Sequence, residues 1–144
     1  MRVTIIGTGN MARGIGTRLL AGGHEVTLLG TEAGKAEGLA RELGGSARAG
    51  AVGDPVEGEV VVLAVPYEAA GEVVRSYGEE LSGKVVVDIT NPVDWQTLDG
   101  LVTPPESSAA EEIQGSAHEG ARVVKAFNTT FAGTLVEGRV AGQP

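Results

Sequence analysis

Gly7, Gly9 and Ala12 stand in the order G-x-G-x-x-A. They follow the short β-branched run of Val3, Ile5 and Ile6, and they lead into Met11, Ile15 and Leu19, which recur every four residues. The first run suits a strand buried on both faces, and the last forms one face of a helix. A strand that turns sharply into a helix leaves the first helical N–H groups unpaired at the positive end of the helix dipole. Such a place suits an anion, most often a phosphate. The glycines could merely permit a tight turn. However, Gly9 lies where a side chain would collide with an approaching pyrophosphate, so Gly7, Gly9, Asn10 and Met11 are read as the pyrophosphate site of a dinucleotide.

The end of the second strand decides which dinucleotide. A carboxylate there would accept hydrogen bonds from a ribose 2′-hydroxyl and mark NAD. This chain has Gly30 at that position, followed by Thr31, Glu32 and Lys35. The glycine is expected to leave room for a 2′-phosphate, Thr31 to donate a hydrogen bond and Lys35 to supply charge. Glu32 opposes this, because within about 4 Å of a phosphate it would repel by roughly 1–4 kcal/mol at high effective dielectric. Glu32 and Lys35 also suit the ordinary solvated first turn of a helix. The expectation is NADP, with NAD as the other option.

Three more strand ends face the reactive half of the same crevice. Ala64, Val65 and Pro66 close the fourth strand, Asn91 and Pro92 the fifth, and Asn128, Thr129 and Ala132 follow the sixth. Asn91, Asn128 and Thr129 can hydrogen-bond a carboxamide or a substrate. The prolines can also act as simple strand terminators, and Asn128 as a turn residue. Trp95 reads as a packing residue under a long loop, and His24 and His118 as surface residues without partners. No Ser-His-Asp grouping, metal cluster or close carboxylate pair stands out, so no catalytic residue is assigned. Lys125 and Tyr67 lie near the crevice with nothing visibly paired to them. A carbonyl-reducing enzyme usually needs a proton donor. Hydride transfer between two cofactors instead needs ring alignment and exclusion of water.

Positioning these residues takes a regular alternation of elements. Strands are expected at Val26–Leu29, weakly in GGSARAGAVGDPVEG, then in EVVVLAV, GKVVVDIT and ARVVKAF. Helices are expected from Thr31 to Leu43, in YEAAGEVVRSYGEEL, and after Ser108, which with Glu111 has capping-box spacing. This pattern predicts an α/β fold, a doubly wound parallel sheet of Rossmann type with strand order 3-2-1-4-5-6, and a ligand crevice where strands one and four end.

With 144 residues the chain is expected to be a single domain, 1–144, with a real core. It lacks cysteine, so neither disulfides nor thiolate metal sites arise. The net charge of −8 and 3% aromatic content argue against nucleic acid. The absence of a bilayer-length apolar run, and a first strand that starts at once, lead us to expect a cytoplasmic protein without a membrane segment.

Four segments taken together, MRVTIIGTGNMARGIGTRLLAGGHEVTLLG, VVVLAVPYEAA, GKVVVDITNP and ARVVKAFNTTFAG, resemble the NADPH-dependent reductases of coenzyme F420. They also resemble the oxidoreductase domain of the metalloreductases, which carry a similar F-N-T segment. The resemblance implies that Thr8, Gly9 and Asn10 contact the pyrophosphate. It also implies that Thr31 and Lys35 match a serine and a lysine that hold the 2′-phosphate. Glu32 stands where the family has arginine, and Asn128 where the deazaflavin reductases have histidine. A second cofactor, F420 or a flavin, and a homodimer are further implications. Family members continue past a segment like VEGRVAGQP, so the chain is expected to be a dinucleotide-binding core, truncated or naturally short. The expected function is hydride transfer between NADP(H) and a deazaflavin or flavin. The alternative is a nucleotide-binding module without turnover.

Overall fold

A computed structural model describes residues 1–143. Six parallel strands form one sheet in the order β3-β2-β1-β4-β5-β6. They are β1 (Arg2–Ile6), β2 (Glu25–Gly30), β3 (Ala47–Ala51), β4 (Val60–Leu63), β5 (Val85–Asp88) and β6 (Arg122–Lys125). The connecting helices are α1 (Asn10–Ala21), α2 (Ala33–Leu43), α3 (Tyr67–Tyr77), α4 (Ala109–Ser116) and α5 (Ala132–Glu137). The expected fold and strand order are both present.

Successive strand residues point to opposite faces, and the central strands are apolar on both. Val3, Ile5, Val26, Leu28, Val62 and Val87 join one core, together with Ile15 of α1 and Leu39 of α2. Ile6, Leu29, Val61, Leu63 and Val86 join the other, together with Ala70, Val74 and Tyr77 of α3 and Ile113 of α4. Thr4 falls among these apolar positions and satisfies its hydroxyl on the Glu57 carbonyl at 2.7 Å.

The boundaries differ from expectation in small, explicable ways. α2 begins at Ala33 because Glu32 is still extended (φ −115°, ψ 110°). α3 is followed by a 3₁₀ turn, Gly78–Leu81, after Gly78 takes a positive φ of 50°. The capping box at α4 is complete: the Ser108 hydroxyl accepts from Glu111 N–H, and the Glu111 carboxylate accepts from Ser108 N–H at 2.8 Å. α5 packs on α1, where a Cβ at Gly14 would come within 2.9 Å of both the Ala132 carbonyl and the Leu135 side chain.

Candidate active site

The turn between β1 and α1 is built around two glycines with different duties. Gly7 has φ +121°, and a Cβ there would overlap the Ala64 carbonyl oxygen. The turn is pinned on both sides, by Gly7 N–H to the Leu29 carbonyl and Ala64 N–H to the Ile6 carbonyl, each 2.8 Å. Gly7 is therefore demanded by the fold. Gly9 is not: its φ of −82° suits any residue, and an added Cβ would meet nothing within 4 Å. That empty space is the mouth of a cleft. Gly9 is also the N-cap of α1 and offers no side-chain cap, and the first helical turn holds no acidic residue. The N–H groups and the dipole are thus left for an anion. These features fit the pyrophosphate of a dinucleotide.

The cleft has a volume of about 450 Å³ and lies where β1, β4 and β5 end. It is lined by Gly9, Asn10 and Met11, by Ala64, Val65, Pro66, Tyr67 and Glu68, and by Ile89, Thr90, Asn91 and Trp95. Seven residues expected at the site from the sequence are thus brought together: Gly9, Asn10, Met11, Ala64, Val65, Pro66 and Asn91. The Asn10 side-chain oxygen accepts from Arg13 at 3.0 Å, and Arg13 in turn pairs with Glu42 at 2.8 Å. Tyr67 projects from the start of α3. Burial, followed by the negative charges of Glu112, Asp88 and Glu68, raises its phenol above the ordinary tyrosine range. It stays neutral at physiological pH, and its O–H can donate a hydrogen bond.

Beneath the cleft lies an ion pair that sequence reasoning missed. Asp88 ends β5 with no exposed surface, and its carboxylate accepts from Lys125 Nζ at 2.8 Å and from Thr90 N–H at 2.7 Å. Lys125 also donates to the Thr90 carbonyl. Lys125, expected to lack a partner, is thus committed to joining β5 to β6. The pairing register places Asp88 opposite Lys125, and the register is the signal that could have found it. A second tie runs from Asn91 Nδ2 to the Asn128 carbonyl at 3.0 Å. It follows Phe127, which takes a left-handed φ of 62° that non-glycine residues seldom adopt. Asn128 therefore meets Asn91 through its backbone.

The remaining expected residues lie away from the cleft. Thr31, Glu32 and Lys35 are exposed beyond the end of β2, and Lys35 pairs with Glu32 at 2.6 Å. The space beside Gly30 is not vacant: a Cβ there would lie 2.9 Å from the Thr8 methyl and 3.2 Å from the Ala36 Cβ. Packing alone therefore accounts for this glycine, contrary to the expectation that it leaves room for phosphate. Thr129 is exposed, Pro92 carries a loop hydrogen bond from Val102 N–H, and Ala132 lines a separate groove with Asn10 and Arg13. His118 accepts from Gly120 N–H, which makes it a turn residue. Trp95 overturns its expectation as well: it is 71% exposed and forms part of the cleft wall. Among the described residues, no group of three His, Asp or Glu side chains could hold a metal, and no helix is long and apolar enough to cross a membrane.

Comparison with known proteins agrees with this geometry. The family described as NADP oxidoreductase, coenzyme F420-dependent, matches residues 2–92. An F420-dependent NADP reductase of Methanocaldococcus jannaschii is 38% identical over 82 residues, covering 55% of this chain and 36% of the relative. The same enzyme of Methanothermobacter marburgensis is 30% identical over 154 residues, covering 95% of this chain and 67% of the relative. A solved structure from Arthrobacter sp. FB24, assigned as an F420-dependent NADP reductase, superposes with a TM-score of 0.81 at 30% identity. That superposition covers 99% of this chain and 69% of the other. The chain thus spans about one third to two thirds of the length of these curated relatives.

Proposed function

The chain belongs to the coenzyme F420-dependent NADP oxidoreductase family, and on that premise we propose that it binds NADP(H) across the β1–β4 cleft and passes hydride between the nicotinamide and a deazaflavin or flavin. The observation that carries this reading is Gly9: the fold does not need glycine there, whereas a pyrophosphate passing over the α1 N-terminus does. In this reading Gly7 shapes the turn, while Thr8, Gly9, Asn10 and Met11 hold the pyrophosphate. Thr31 and Lys35 reach the ribose phosphate, with Lys35 exchanging Glu32 for it. Pro66 and Asn91 frame the nicotinamide beside Ala64 and Val65. Asn128 steadies Asn91 through its backbone carbonyl, while Thr129 and Ala132 stand outside the cleft.

Held by Gly9, Asn10 and Met11 at its pyrophosphate and framed by Pro66 and Asn91 at its ring, a bound NADP(H) would supply the hydride chemistry, and solvent would supply the accompanying proton. The protein's share is to align two flat rings and keep water from between them. No side chain in the cleft has to move a proton. Tyr67, the phenol at the cleft, has its pKa raised and not lowered, so it serves as a hydrogen-bond donor better than as a proton-transferring acid, which suits ring-to-ring transfer.

The coarser setting follows from composition and surface. The net charge of −8 gives nucleic acid no electrostatic footing, and we read the protein as cytoplasmic. The exposed apolar side chains of Phe131, Val136 and Val140 near α5, and of Val124 on the edge strand β6, suit cover by a second copy in a homodimer. Residues 1–144 are read as one dinucleotide-binding unit.

The deciding experiment is a titration with NADPH and with NADH in the same low-salt buffer, followed by turnover assays with F420 and with FMN. NADPH preference together with hydride transfer is the expected result. Binding of neither nucleotide would overturn the reading, and nucleotide binding without turnover on either acceptor would reduce the protein to a binding module.

A further inference from the structure

Trp95 is the sole tryptophan of the chain, and 71% of its surface faces solvent. Leaving a large aromatic side chain in water forgoes the stabilisation its burial would bring, so its position calls for a reason. It does not hang on a loose strand of chain. Residues 92–102 form a closed hairpin, in which Asp94 N–H bonds the Gly100 carbonyl at 3.0 Å and Val102 N–H bonds the Pro92 carbonyl at 2.9 Å. Val93 bridges Leu101 antiparallel across it. The Asp94 carboxylate further accepts from the N–H groups of Gln96 and Thr97, at 2.9 and 3.3 Å. The hairpin is therefore set by its own hydrogen bonds, and it presents Trp95 to the same cleft wall as Pro66 and Asn91.

We propose that Trp95 is a binding residue for the second redox partner, its indole stacking on the planar conjugated ring of a deazaflavin or flavin and holding that ring over the nicotinamide. The inference rests on the reading of the cleft as the NADP(H) site. Three features converge on it. The residue lines the same cleft as Pro66 and Asn91, which are read as framing the nicotinamide. Its π face is large and sequence-independent in what it accepts, which suits a flat tricyclic ring. A hairpin closed by its own hydrogen bonds, finally, lowers the cost of ordering the segment for stacking.

The test uses the full chain and three proteins: wild type, Trp95→Phe and Trp95→Ala. The affinities for NADPH, for oxidised F420 and for FMN are measured for each, with the oligomeric state followed by light scattering. The expected result is that Trp95→Ala weakens F420 or FMN about tenfold and raises KM for that acceptor more than it lowers kcat. Trp95→Phe should recover most of the loss, and NADPH affinity should stay within twofold throughout. Which acceptor is lost tells the deazaflavin from the flavin. Unchanged acceptor affinity in Trp95→Ala would overturn the proposal, as would a change confined to oligomeric state, which would make Trp95 an interface residue. Wild type that binds NADPH but neither acceptor would also overturn it and leave the NADP(H) site standing. Failure to bind NADPH would remove the functional reading itself.

Discussion

A methyl group added at position 7 would overlap the Ala64 carbonyl oxygen, whereas the same group at position 9 would enter open space. Of the two glycines of one motif, only Gly7 is demanded by packing. Gly7→Ala places an L side chain at φ +121° against backbone, and we expect it to lose at least about 3 kcal/mol in urea unfolding. Gly9→Ala should stay within about 1 kcal/mol of wild type in the same experiment, because the gain from restricting the unfolded chain is offset by alanine being a poorer N-cap than glycine. Its NADPH affinity should nevertheless fall about tenfold or more, since the methyl stands in the path of the pyrophosphate. Equal losses of stability in the two variants would mean that Gly9 is structural after all. The motif was legible at residue level because strand, turn and helix adjoin in the sequence. The duties of Gly7 and Gly30 were not, because Ala64 and Thr8, which press on them, are distant in sequence.

At the scale of elements, β5 and β6 are joined by charge as well as by their ladder. Lys125→Met would strand the fully buried Asp88 carboxylate with only the Thr90 N–H as a bonding partner. It should cost about 3 kcal/mol in thermal or denaturant unfolding. The double variant Asp88→Asn with Lys125→Met should recover much of that loss, because an uncharged pair has little desolvation to offset. A double variant no better than the single would show that Lys125 contributes by packing its alkyl stem. The elements themselves were readable from local pattern: apolar runs for the strands, four-residue spacing for the helices, and Ser108 with Glu111 for the start of α4. Asp88 looked like the polar end of one strand and Lys125 like part of another. Only the parallel register sets them opposite each other.

Over the whole molecule, alkaline stability is tied to two tyrosines. Tyr77 packs in one core, and its hydroxyl oxygen accepts from Gly53 N–H at 2.9 Å. Burial raises its phenol above the ordinary value of 10, partly offset by that hydrogen bond, and Tyr67 is raised in the same direction. A group with a raised folded-state pKa binds its proton more tightly folded than unfolded. The resulting stability is full below about pH 10 and is lost as pH climbs past it. Melting temperature should therefore hold up to pH 9 and decline above pH 10, with a shallower decline in Tyr77→Phe. An identical decline in that variant would place the alkaline weakness elsewhere.

By itself, the sequence determined the sheet order, the buried strands and the glycine turn between β1 and α1. The strands and the turn depend on hydrophobic periodicity and backbone conformation over a few neighbouring residues, and the sheet order on the connection rules that a repeating strand–helix pattern must obey. Tertiary structure alone decided that Asp88 meets Lys125, that Thr8 fills the space beside Gly30, and that Trp95 leaves the core for the cleft wall. Each of these depends on which side chains from distant segments meet at the strand ends. Such meetings follow from register, twist and loop hydrogen bonds, and local propensity carries no record of them.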